Sequence, residues 1–403
     1  MAKILTIFFV FATIISIGHS QCTLERAILN FRRSVYEFNA RLVFRINQDT
    51  EGHFIASGLS PWSLISALSF GADGNTLSEI ERVLRLHSHK CFNERYFEVA
   101  QIATTSTDST ILERSATIFV DESLELLDEF ANNVVRTGLC NTTELSFKDT
   151  VSSASAINEY VSKSTHETID EIVTPSDLYD VSMVMIDALY FKGTWKNQFP
   201  YEDTETSAFY NERGNQIGDV NLMFTNGNFN VTSMKTIKAR VLEVPYGERD
   251  KYSMLIFLPF ADVTVTQVLE NLKSSSLNAI FNAFGRNGAS SVAVQIPRFK
   301  ITSDVSNLKD LLIDMGLRSM FDSTTANFPF LTFSPLYVSN FIQKAYIEVT
   351  EEGTTAAAVS EASFLARMLP EQFIANKPFI FMIVDRNVPI PLFTGAYSKP
   401  NIY

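Results

Sequence analysis

The sequence predicts an α+β fold built as one domain, and three observations carry that prediction. Helical periodicity is concentrated in the first half of the chain and strand-like apolar runs in the second, without regular β-α-β alternation. No linker interrupts the sequence: glycine and proline are sparse, and there is no low-complexity tract or internal repeat. The 403 residues are 46% hydrophobic and include 33 phenylalanines, enough apolar material for one large core.

The elements follow in order. Leu24, Ile28, Phe31, Val35, Phe38 and Leu42 recur at steps of four and three, which predicts an amphipathic helix. Thr76-Leu77-Ser78-Glu79 reads as a capping box opening a helix over Ile80 to Leu86. Val181 to Phe191 is almost continuously apolar, as in a strand buried on both faces. Val241 to Pro245, Tyr252 to Leu258 and Val292 to Ile301 are further strands, with Pro297 placing part of the last at an edge or bulge. Leu308 to Met315 predicts a helix closed by Gly316.

The N-terminus reads as a secretory leader over residues 1–20. Lys3 gives a positive start, Ile4 to Ile17 is almost wholly apolar, and Gly18-His19-Ser20 supplies a cleavage site; the stretch is short for a bilayer span. The mature chain, 21–403, is then extracellular. Cys22, Cys91 and Cys140 allow one bridge and one free thiol in an oxidising compartment. Sequence does not fix the pairing; Cys91 with Cys140 is preferred because Cys22 lies near a terminus. The sequons at Asn141 and Asn230 agree with secretion.

Net charge is −12, which disfavours nucleic acid and anionic membrane as partners. Arginines and a lysine between Arg82 and Lys90 are interleaved with Glu79, Glu81 and Glu94, a solvated mixed-charge face rather than a polyanion site. No nucleophile elbow, phosphate loop or dinucleotide fingerprint is present, and none of His53, His87, His89 and His166 is flanked by a recognisable catalytic set. His87-Ser88-His89-Lys90-Cys91 has ligand-like spacing but reads better as an exposed segment. The sequence therefore predicts no enzyme, no metal and no cofactor.

The unusual stretch is "EEGTTAAAVSEASFLARMLPEQF", Glu351 to Phe373. By composition it suits an alanine-rich helix as well as a long functional loop. Its alternate residues Thr354, Ala356, Ala358, Ser360 and Ala362 are small and uncharged, while the intervening set holds Glu361. One face of such a strand fits a crowded interior, so the segment suits both a loop and an inserted strand.

This stretch resembles the hinge and reactive loop of the serpin family. "SGLSPWSLISALSFGADGNT", "ALYFKGTWKNQF", "LEVPY", "IPRFKI" and "NKPFIFMI" are similar to further family motifs, in the same order and across nearly the whole mature chain. The resemblance implies three β-sheets, about nine helices and an exposed reactive-centre loop near the C-terminus. It implies a hinge at Glu351, Glu352, Gly353, Thr354, Thr355, Ala356, Ala357 and Ala358, and a reactive bond at Arg367-Met368. A cut after Leu365 or Phe364 is the alternative register. The guanidinium of Arg367 suits the acidic specificity pocket of a trypsin-like serine protease, the implied covalent partner of a monomeric inhibitor. Trp195 matches the tryptophan beneath the insertion point, and Arg298 with Glu351 the pair that holds the hinge base. Ser60 and Ser63 fit the sheet-opening region. Asp187 and Gln343 depart from the family's asparagine and histidine, although a hydrogen bond between them is still expected. The implied function is inhibition within a proteolytic cascade such as clotting or innate immunity; a non-inhibitory carrier or storage role is the alternative, disfavoured by the small hinge residues.

Overall fold

Thr23 accepts a hydrogen bond from the Arg26 amide and starts helix α1, Leu24–Thr50, with Glu25 complementing the helix dipole in the first turn. The apolar stripe behaves as its periodicity requires: Phe31, Val35, Phe38 and Leu42 are buried, whereas Leu24 in the first turn is 48% exposed. The computed structural model describes residues 22–248, 251–305, 307–352 and 370–403. The leader lies outside these residues, as do Gly353 to Ala358, Arg367 and Met368.

Eight further α-helices occur among the described residues: α2 Leu59–Leu68, α3 Gly74–Leu84, α4 Lys90–Ala103, α5 Asp128–Thr137, α6 Thr150–Ser164, α7 Val265–Leu272, α8 Leu277–Asn287 and α9 Leu308–Met315. Gly316 follows α9 with φ +105°, the left-handed stop that the sequence predicts. The predicted capping box does not form. Helix α3 begins at Gly74, two residues before Thr76, whose hydroxyl accepts from the Asn327 amide at 3.1 Å. Glu79 instead accepts from the amides of Arg318 and Ser319 at 2.7 and 2.8 Å. Tertiary donors have taken both capping groups, and the helix ends at Leu84, before the predicted Leu86.

The strands are β1 Phe54–Ala56, β2 Thr110–Asp121, β3 Asn141–Leu145, β4 Met183–Gly193, β5 Glu205–Tyr210, β6 Gln216–Met234, β7 Ala239–Tyr246, β8 Tyr252–Pro259, β9 Ala289–Pro297, β10 Phe299–Val305, β11 Asn340–Val349, β12 Glu371–Ile374, β13 Phe379–Asp385 and β14 Ile390–Tyr397. One sheet has the order β10-β11-β4-β2-β3. The other runs β1-β14-β13-β8-β7-β6-β9-β12, with β5 also on β6. The 19-residue β6 makes this second sheet double. Its first half pairs with β5 and β9, its end pairs with β7, and it so joins two sheet regions in one ladder. With the five-stranded sheet these are the three expected regions. The predicted strand Val292 to Ile301 is two strands: Pro297 ends β9, and β10 enters the other sheet beyond Arg298.

The apolar run of β4 has a simple cause. Met183, Met185 and Leu189 join the main core, whereas Val184, Ile186 and Ala188 face a second cluster closed by Ile157 and Val161 of α6. Asp187 is the polar exception on the main-core side.

The expected Cys91–Cys140 bridge is corrected. Cys22 pairs with Cys91, and Cys140 is a buried free thiol. The capped start of α1 holds Cys22 against the first turn of α4, so it is anchored at the very terminus where fraying was expected.

Candidate functional site

β11 runs parallel to β4, and their shared seam extends from Asn340 opposite Val184 to Ile347 opposite Phe191. The chain leaves β11 at one end of this seam, and the residues there converge on it. Trp195, just beyond β4, stacks on Tyr246 with centroids 4.3 Å apart, and its Nε1 donates to the Thr350 carbonyl at 2.8 Å. The Phe199 amide donates to the Glu351 carbonyl at 3.2 Å, and Gln198 Nε2 to that of Glu352 at 3.3 Å. A cavity of about 240 Å³, lined by Tyr190, Gly193, Trp195, Tyr246, Thr350 and Glu352, sits at this head of the seam.

The Glu351 side chain is firmly seated there, only 3% exposed. Its Oε1 accepts from the Thr204 hydroxyl at 2.8 Å and lies 3.5 Å from Arg298 Nη1. The resemblance-based pairing of Arg298 with Glu351 is therefore observed. Thr204 lies outside every motif, and Gln198 lies inside "ALYFKGTWKNQF" without being singled out, so sequence reasoning missed both.

Midway along the seam a polar cluster is sealed inside the core. Gln343 lies directly opposite Asp187, and its Nε2 donates to Asp187 Oδ2 at 2.6 Å and to the Ser57 carbonyl at 3.0 Å. The Ser57 amide donates back to Gln343 Oε1 at 3.2 Å, and the Ser60 hydroxyl donates to Asp187 Oδ1. Burial pushes the Asp187 carboxyl up to about 6, against the pull of Arg114 and of the Ser60 and Gln343 hydrogen bonds. Ser63 stands apart from the cluster: its hydroxyl donates to the Leu59 carbonyl within α2, at 2.8 Å.

A family model described as serpin (serine protease inhibitor) matches residues 33–400. The chain belongs to the serpin family. It is 30% identical over 383 residues to a leukocyte elastase inhibitor of Xenopus tropicalis, covering 92% of this chain and all of that relative. It is 29% identical to a neuroserpin of Gallus gallus, covering 83% and 82% of the two chains. Among solved structures, native protease nexin-1 with heparin superposes with a TM-score of 0.80 at 26% identity, covering 93% of this serpin and all of that chain. Serpin48 of the insect Tenebrio molitor gives 0.79 at 26% identity, covering 93% and 99%.

The remaining predicted positions are spread over this serpin. Asn141 opens β3 exposed to solvent, its amide donating to the Tyr160 hydroxyl at 2.9 Å. Asn230 is half-buried in β6 and donates at 2.7 Å to Glu243, a fully buried carboxylate that also pairs with Arg386 at 2.8 Å. His87 stacks on Phe92, His89 Nδ1 accepts from the Cys91 amide, and the Cys91 sulfur is committed to its disulfide. No helix among the described residues is long and apolar enough to cross a membrane.

Proposed function

We propose that this serpin is a secreted suicide inhibitor of trypsin-like serine proteases, cleaved at Arg367-Met368 and acting in a clotting or innate-immune cascade. The observation that carries the reading is Glu351, pinned by Thr204 and Arg298 where the chain leaves β11, beside the head of a parallel seam. Secretion is supported by the leader pattern and by the Cys22–Cys91 bridge, which suits an oxidising compartment.

The chemistry belongs to the protease. Its serine oxygen adds to the Arg367 carbonyl, the Arg367-Met368 bond breaks, the Met368 amine leaves with a proton, and an acyl ester remains. Freed from its downstream tether, the hinge folds back beyond Glu352. A strand connected to β11 by a tight turn must run antiparallel to it, and so antiparallel also to β4. Insertion replaces one parallel seam by two antiparallel ladders, which pair somewhat more strongly. The small set from Thr354 to Ala362 meets the interior at low steric cost. Serpin loop insertion is a known example of strand addition and of stored strain released by cleavage. The insertion carries the tethered protease away and distorts it before water resolves the ester.

The test is incubation of the secreted protein with a panel of trypsin-like, chymotrypsin-like and elastase-like proteases. The expected result is an SDS-resistant complex with trypsin-like members and a C-terminal peptide beginning at Met368. Cleavage without any complex points to the non-inhibitory role, and a different peptide start overturns the reactive bond.

A further inference from the structure

The side chain and main chain of Tyr403 reach three charged residues around the hinge base. Its main-chain oxygen accepts from Arg298 Nε at 2.6 Å and from Asn221 Nδ2 at 2.8 Å. Its ring lies 4.5 Å from Lys300 Nζ and 5.8 Å from the Arg298 guanidinium carbon. Its hydroxyl donates to Glu348 Oε1. Lys300 and Glu348 are direct cross-strand partners between β10 and β11, so one tyrosine spans the pair three residues before Glu351.

We propose that Tyr403 is a positioning residue for hinge release, holding Arg298 and Glu348 in place and so setting how readily the chain beyond Glu351 enters between β4 and β11. The inference rests on the inhibitor reading above. A guanidinium is a rigid planar fork, so fixing one nitrogen aims the others. With Nε committed to Tyr403, Arg298 presents Nη1 to Glu351 at 3.5 Å. Tyr201, whose ring lies 5.7 Å away, provides a second ring near the guanidinium. Loss of the Tyr403 side chain leaves the main-chain bond to Arg298 Nε in place, but it strips the ring that packs beside the Arg298 guanidinium and Lys300 and removes the hydroxyl that bonds Glu348. Both changes loosen the last turns of β11 before the hinge, and the direction is toward easier insertion.

The experiment compares the full secreted chain with its Tyr403→Ala and Tyr403→Phe variants. The probe is a synthetic peptide with the sequence of residues 354–367, whose uptake is followed on native gels, together with the moles of serpin consumed per mole of trypsin inhibited. Tyr403→Ala should take up the peptide about tenfold faster, the combined size of the lost Glu348 hydrogen bond and the lost ring contacts with Lys300 and Arg298. Tyr403→Phe keeps the ring and loses the Glu348 bond, so it should lie between. A purely structural role lowers melting temperature and leaves uptake and the inhibition ratio unmoved, which overturns the proposal. If Tyr403→Ala does not fold, Tyr403→Phe decides alone: uptake about threefold faster supports the role, and an unchanged rate overturns it. Faster uptake without complex formation by any protease supports Tyr403 while sinking the inhibitor reading, so the two failures are separable.

Discussion

Gln343 and Asp187 face each other across the parallel seam of β11 and β4, joined by a 2.6 Å hydrogen bond inside the core. Any strand entering that seam must first part them, so the Asp187 carboxylate belongs to both the stability and the opening of the sheet.

The first prediction is a pH dependence. The folded Asp187 carboxyl sits at about 6 and its ordinary value is 3.8. A raised value means the folded state holds the proton more tightly. Its stabilising contribution is complete below about pH 4 and is lost as pH rises through about 6. Asp187→Asn should gain on the unmodified protein by on the order of 3 kcal/mol between pH 4 and pH 7.5. Urea unfolding of both proteins at the two pH values measures this, and a constant difference contradicts it.

Thr354→Arg should convert the inhibitor into a substrate, because an unpaired charge cannot be buried in the seam without a cost of several kcal/mol. Gel assays with trypsin should show full cleavage and almost no complex. A complex yield equal to that of the unmodified protein contradicts the insertion step.

Arg367→Ala should slow association with trypsin by about 100-fold, equivalent to about 3 kcal/mol for losing one partner of a buried charge pair. Stopped-flow or progress-curve rates measure it. Faster inhibition of elastase by the same variant is compatible with this reading; unchanged trypsin inhibition is not.

Reducing the Cys22–Cys91 bridge, which closes a separation of 69 residues, should cost about 4 kcal/mol. Cys22→Ser should show the same loss in denaturant unfolding. Cys140 should stay unalkylated until unfolding, because burial pushes its thiol up to about 12. Rapid native labelling at Cys140 would show that the thiol is accessible.

Much of this was legible in the residues, and the exceptions have a common cause. The stripe from Phe31 to Leu42 and the run through β4 announce themselves because local periodicity and burial coincide. Thr76 and Glu79 misled because donors on the far segment 318–327 outcompete the helix for their oxygens. The disulfide depends on where α1 sits in space, which no spacing of three cysteines encodes. Thr204 and Tyr403 reach Glu351 and Glu348 from 147 and 55 residues away, so neither belongs to any local pattern. The Arg298–Glu351 pair was readable from the motifs; the residues that brace it, Thr204 and Tyr403, were not.

β13 lies between β8 and β14, and β14 between β13 and β1, every residue of both strands buried. A chain severed anywhere from 353 to 369 therefore stays one particle, since its shorter piece is woven through the middle of the larger sheet. Gel filtration would miss the break, and only denaturation would part the two polypeptides. Tyr403 rides on that shorter piece, so the fragment downstream of the cut keeps a grip on the strand upstream of it.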